Sequence, residues 1–189
     1  MHTSGPDEAE LTTWALRAGK GDRAAASDFV RATQQGVHRF LAHLVSPGEA
    51  EDLAQETYLR AMRALPSFAA RSSARTWLLA IARRVAADHI RSVVARPRTA
   101  ALENWELAAD AAMPGSDVAD GVVLDHLLRG LDPERREAFV ATQVLGLSYQ
   151  EAAEVCGCPI GTIRSRVARA REDLVAALGH RRAAHRATS

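Results

Sequence analysis

Apolar residues recur along this chain at helical spacing, and the breaks between the runs divide it into a succession of helices. Leu11, Trp14 and Leu16 mark a short amphipathic helix over residues 7–18, closed by Gly19-Lys20-Gly21. A long helix from about residue 22 to 45 carries Phe29, Val30, Val37, Phe40, Leu41 and Leu44 as its apolar set. Ser46-Pro47-Gly48-Glu49 combines an N-cap, a proline in the first turn and an acid three residues on. That combination opens a third helix, which runs to about Leu65 and is ended by Pro66. A loop over 67–73 follows, and a fourth helix spans roughly 74–94. Together these predict one four-helix domain over residues 1–95.

From 96 to 121 the periodicity fails. Arg-Pro-Arg, a group of acids and Met113-Pro114-Gly115-Ser116 read as a linker, with a short helical piece around 102–112. Helices resume at about 122–128, and Asp132-Pro133 starts another that runs through Leu145. A helix-turn-helix completes a second small domain over 122–180, and residues 181–189 read as a basic tail, frayed from His180 onward. There is no internal repeat and no strand signal of useful length. The predicted class is all-α, two small helical domains joined by a flexible linker.

The helix-turn-helix is the most informative stretch. Ser148 with Glu151 three residues on forms a capping box, and the small pair Ala152-Ala153 lets a second helix approach closely. Gly157 falls where the turn needs a residue free of the Cβ penalty, and Pro159 suits the first turn of the next helix. In that helix Ile163, Val167, Ala170 and Leu174 make the buried stripe. Thr162, Ser165 and Arg169 then point away from the core, with Arg164 and Arg166 on the flanks. A basic, polar face of this kind at a helix N-terminus suits the DNA major groove. A merely solvated arginine face is the plain alternative, but cap, small pair, turn glycine and proline occur here in register.

Charge sharpens the picture. The 189 residues carry a net charge of only +1, and Lys20 is the single lysine among 24 basic residues, a bias usual for GC-rich genomes. The distribution matters more than the sum. Between Arg71 and Arg98 seven arginines face one acid, Asp88, and from Ile160 to the end seven face Glu172 and Asp173. Two basic regions separated by an acidic stretch suggest two contacts on one polyanion. The third helix is the reverse: Asp52, Gln55, Glu56 and Leu59 share one face, opposite Ala54, Tyr58 and Ala61. An acidic face with an exposed leucine suits a basic protein surface, although a solvated face would look the same. On the fourth helix Arg83, Arg84 and Arg91 mark a basic sector, preceded by Phe68, Arg71, Ser72, Ser73 and Arg75. Such a groove suits single-stranded DNA, with Trp77 read as core.

Other chemistry is lacking. No Gly-rich phosphate loop, metal-spaced His/Cys cluster or nucleophile with a plausible base is found, so no enzyme, metal or cofactor is expected. Cys156 and Cys158 are the only cysteines. A C-x-C pair suits metal or oxidant chemistry, but both fall where the motif needs small buried side chains, and packing is the reading. His38, His43, His89 and His126 read as surface or satisfied residues. The polar N-terminus and the absence of a long apolar run predict a cytoplasmic protein that does not insert in membranes.

Four strings in order resemble the bacterial extracytoplasmic-function (ECF) sigma factors, most nearly the actinobacterial sigma-C type. They are Asp52-Leu53-Ala54-Gln55-Glu56-Thr57-Tyr58-Leu59-Arg60-Ala61, Arg75-Thr76-Trp77-Leu78-Leu79-Ala80-Ile81-Ala82-Arg83-Arg84, Gly146-Leu147-Ser148-Tyr149-Gln150-Glu151-Ala152-Ala153, and Gly161-Thr162-Ile163-Arg164-Ser165-Arg166-Val167-Ala168-Arg169-Ala170-Arg171. The resemblance implies a sigma-2-like first domain, in which Asp52, Gln55, Glu56 and Leu59 dock on the β′ clamp coiled coil of RNA polymerase core enzyme, whose β subunit is also a partner. It implies that Phe68, Arg71, Ser72, Ser73, Arg75, Trp77, Arg83 and Arg84 form the surface that captures a flipped base of the −10 element and nucleates melting. The sigma-4-like second domain would read the −35 element of promoter DNA through Thr162, Arg164, Ser165, Arg166 and Arg169. The linker acids would imitate nucleic acid in the polymerase channel. Many relatives carry Asn where Arg84 stands, a side chain that helps read the −10 element; Arg84 could contact phosphate instead, so the resemblance does not fix the −10 specificity. An anti-sigma factor, where one exists, should cover the docking and DNA-reading faces. A stand-alone helix-turn-helix regulator is the alternative, and would not need the acidic face. A decoy that titrates a partner would keep the first domain but lose the basic recognition face.

Overall fold

The computed structural model describes residues 6–95 and 124–187, the last eight as backbone only. Among these residues every regular element is helical. The expected linker and its acids lie outside the described residues.

Asp7 caps the first helix, α1 (Glu8–Gly19), by accepting from the Glu10 amide at 2.7 Å. Asp22 caps α2 (Arg23–Leu44) through the Ala25 amide at 3.0 Å and holds Arg17 across the turn. The carboxyl of Asp22 is kept below its usual range by the Ala25 amide and by Arg17. Helix α3 (Pro47–Ala64) starts at Ser46, whose hydroxyl bonds Glu49 Oε2 at 2.7 Å rather than a backbone amide. A 3-10 turn over Leu65–Ser67 accommodates Pro66 and leads to α4 (Ala74–Ala95). The four helices bury Leu11, Phe29, Val37, Phe40, Leu41, Leu78, Leu79 and Val85. Leu16, expected on the apolar face of α1, is exposed, because Ala15 takes the inward position beside it.

The second half begins with a short helix, α5 (124–129), followed by α6 (Pro133–Phe139), which Asp132 caps at the amides of Glu134 and Arg135. The expected continuous helix to Leu145 is not observed as such. Val140–Val144 widens into a π-type turn, and the Leu145 amide donates to Val140 O at 3.0 Å. In α7 (Tyr149–Cys156) the capping box is complete, and Gly157 ends the helix in the left-handed region at φ 64°, ψ 38°. Cys158 N–H then returns to Ala153 O at 3.1 Å, satisfying a terminal carbonyl. The last helix, α8, runs Ile160–Ala187, with Pro159 one residue before it. The frayed tail expected from His180 is helical instead. Its alanines and arginines are good helix formers, and basic groups favour a helix C-terminus.

The two halves pack on each other. Helix α4 lies against α7, and α2 touches α6. Apolar residues of both join one core, in which Leu128, Val140, Ile163 and Val167 are fully buried on the second side.

Candidate protein and nucleic-acid interfaces

Helix α3 turns Ala50, Thr57 and Ala61 to the core. Tyr58, on the same side, shares a 2.8 Å hydrogen bond with the Thr33 hydroxyl, and burial pushes its phenol up to about 12. The opposite face carries Asp52, Gln55 and Leu59 in the open, and Leu59 is 54% exposed. Glu56, half-buried, accepts from Arg60 Nε at 2.7 Å, and Arg60 also reaches Asp88 of α4 at 2.7 Å. The four residues singled out from the sequence thus share one acidic face with an apolar centre. Sequence reasoning missed Arg60, which bounds that face; its spacing of four from Glu56 was the available signal.

The second group is divided by the structure. Phe68 is buried, its ring 4.9 Å from that of half-buried Trp77 and tilted by 44°, so the pair forms a wall rather than a free stacking surface. Ser73 caps α4 by accepting from the Thr76 amide at 3.1 Å. Between them the loop holds Ala70 at φ 50°, a left-handed conformation that costs a residue with a Cβ. Arg71 and Arg84 are exposed, with no ion pair among the described residues, and Ser72 is half-buried. Arg75 and Arg83 turn toward the second half. Arg75 donates to Leu145 O at 2.6 Å and to Glu8 at 3.4 Å. Arg83 pairs with Glu137 of α6, a carboxylate whose side chain is only 9% exposed. Burial pushes the Glu137 carboxyl above its usual range, although Arg83 opposes that shift.

In α8 the stripe Ile163, Val167, Ala170 and Leu174 is buried, as the spacing predicts. Arg164, Ser165 and Arg169 are exposed on the far side, and Thr162 is half-buried, its carbonyl accepting from the Ser165 hydroxyl at 2.9 Å. Arg166 differs from its neighbours. Its side chain is 19% exposed, paired with Glu134 and in contact with Cys158 Sγ at 3.5 Å. It ties α8 to α6 and to the turn. Glu134 and Glu137, the acids that hold Arg166 and Arg83, carry no sequence signal beyond the acidic opening of α6. No group of three or more His, Cys, Asp or Glu among the described residues could hold a metal ion. No helix among them is long and apolar enough to cross a membrane.

An acidic face with an exposed leucine, a basic loop-and-helix surface and a helix-turn-helix stand together in one chain. Residues 29–95 match the family model described as Sigma-70 region 2, and residues 122–174 match Sigma-70, region 4. The chain belongs to the ECF sigma factors of the sigma-70 family, and is an alternative sigma factor that directs transcription initiation. Within that group it is 52% identical over 176 residues to the ECF RNA polymerase sigma factor SigC of Mycobacterium tuberculosis, covering 93% of this chain and 95% of that protein. It is 32% identical to the ECF RNA polymerase sigma-E factor of Salmonella typhimurium, over 82% of this chain and 87% of that one. The sigma factor RpoE of Bartonella quintana, solved in complex with the anti-sigma factor NepR, superimposes with a TM-score of 0.64. That match has 29% identity and covers 79% of this chain and 94% of that chain.

Proposed function

We propose that the work of initiation is divided along the chain as its surfaces are. The first half, residues 1–95, docks on core RNA polymerase and handles the −10 element; the second, 122–180, reads the −35 element as duplex; residues 96–121 tether them. Asp52, Gln55, Glu56 and Leu59 meet a basic protein helix, with Leu59 as the apolar anchor inside an acidic rim. Arg71, Arg84 and the Phe68–Trp77 wall bound the single-stranded surface, to which Arg75 and Arg83 are added once they leave Leu145 and Glu137. Arg164, Ser165 and Arg169 face the groove, and Arg166 orients the helix that carries them. The chain acts without catalysis of its own and in the cytoplasm. An anti-sigma factor, as NepR is for the Bartonella protein, would act by covering the α3 face or the α8 face.

The observation that carries this reading is Leu59, a large apolar side chain 54% exposed on an acidic face. A stand-alone DNA-binding regulator has no use for it. Run-off transcription with purified core polymerase tests the assignment on fragments of the source genome. Wild-type chain should yield discrete transcripts sharing two spaced upstream elements. Asp52→Lys should abolish holoenzyme assembly on a sizing column while DNA retention by the chain persists; retained assembly would remove the docking face. Arg164→Ala should leave assembly intact and weaken promoter binding by about tenfold, one lost base or phosphate contact. Unchanged promoter affinity would discard that contact.

A further inference from the structure

The turn between α7 and α8 holds the only two cysteines of the chain, and both pack as expected, Cys156 inside the core and Cys158 against it. Cys156 ends α7 at 3% exposure, and burial pushes its thiol above the usual range. Cys158 is half-buried, and its sulfur accepts from Arg166 Nη1 at 3.5 Å. Arg83 arrives from α4 at the same place, its Nη1 4.0 Å from where a Cβ on Gly157 would stand. The outer thiol thus accepts from one guanidinium, and a second reaches the turn, each also held by a carboxylate of α6, Arg166 by Glu134 and Arg83 by Glu137.

Gly157 supplies the reach. Its φ of 64° and ψ of 38° mirror helical backbone, so the flanking Cα atoms stand about 5.4 Å apart by helix radius and rise. That separation falls inside the roughly 4.4–6.8 Å that a disulfide spans. Most side chains at 157 would be strained in this left-handed conformation, although right-handed helical backbone, its mirror image, would set the same separation.

We propose that Cys156 and Cys158 form a hydroperoxide-responsive dithiol, with Cys158 as the attacking sulfur and Cys156 as the resolving one. The Cys158 sulfur attacks one peroxide oxygen and the O–O bond breaks. The departing oxygen takes the thiol proton and leaves as water, or as an alcohol from an organic peroxide. Cys158 is then a sulfenic acid. Cys156 attacks the Cys158 sulfur, the S–O bond breaks, and the hydroxide leaves as water with the Cys156 proton. The two sulfurs have given two electrons to the peroxide and share one bond. Closing that bond draws the Cys156 sulfur out of the core and removes the sulfur acceptor of Arg166 at the start of α8. A loss of −35 reading on oxidation rests on the role proposed for α8; the disulfide itself does not.

The test uses the full chain and hydrogen peroxide. After treatment, the protein is unfolded in urea with N-ethylmaleimide and digested with trypsin, which leaves both cysteines on the peptide 137–164. The expected peptide is two hydrogens lighter than the reduced one, carries no maleimide, and regains both thiols with dithiothreitol. Cys158→Ser should slow peroxide consumption about tenfold, because the half-buried thiol, the more accessible of the two, is gone. Cys156→Ser should halt at a sulfenic acid that dimedone labels. Two maleimides on the wild-type peptide after excess peroxide, equal consumption by both variants, or a disulfide-linked dimer would each overturn the proposal.

Discussion

At the scale of single residues, the arginines show how identity and role part company. Arg164 and Arg166 read as equivalent flanks in the sequence, yet Arg164 is exposed, like Arg169, and Arg166 is clamped against Glu134. Periodicity found the buried stripe they flank, because burial follows helical spacing. It could not find the clamp, because Glu134 lies 32 residues away on another helix. Phe68 is a similar case: its place beside cationic groups was legible, but its burial against Trp77 was not. Glu137 carries a testable cost. Its folded-state carboxyl is raised, with burial as the leading cause, so the folded chain binds that proton more readily than the unfolded one. Stability from this group is therefore fully present below the unfolded value of 4.5 and is lost as pH rises through the folded value. Urea midpoints of wild type and Glu137→Gln, measured from neutral pH downward, should shift in favour of wild type as pH falls toward 4.5, then run parallel. A difference that does not change with pH would mean that the carboxyl is not strained by burial.

At the scale of elements, local chemistry set the boundaries well. Asp7, Asp22, Asp132 and Ser148 each cap a helix, and the glycine-rich break after α1 falls where the sequence put it. The misses share a cause: they depend on neighbours. The π-type turn at Val140–Val144 brings Leu145 O to Arg75, a contact spanning 70 residues. Gly19 is another element-scale constraint. A Cβ there would stand 2.5 Å from the backbone carbonyl oxygen of Leu65, so α1 can meet the 3-10 turn only without a side chain. Gly19→Ala should destabilise the first half by about 1–3 kcal/mol, the range for forced overpacking. Thermal unfolding reads this directly; an unchanged midpoint would show that α1 is free to move away.

At the scale of the molecule, the fold class and both family regions were legible, since they rest on local periodicity and motif order. The packing of one half on the other was not. It depends on Arg75 reaching Leu145 O, on Arg83 meeting Glu137, and on His43 standing 3.3 Å from Asp125. None of these pairs is close in sequence. If Arg83 belongs to the single-strand surface, Glu137 and DNA compete for one guanidinium. Glu137→Ala in the full chain should then tighten retention of mixed-sequence single-stranded DNA about fivefold, roughly 1 kcal/mol. Weaker retention would mean that the packed form is itself the binding form.

The competing carboxylate differs from any inhibitor added in solution. Being tethered to the same chain, it keeps a fixed effective concentration beside the arginine, whatever the amount of protein. Diluting the chain, or making more of it, leaves the fraction of occupied guanidinium unchanged. A rise in expression would multiply packed and open molecules alike, and only something that binds one form better than the other could alter their ratio.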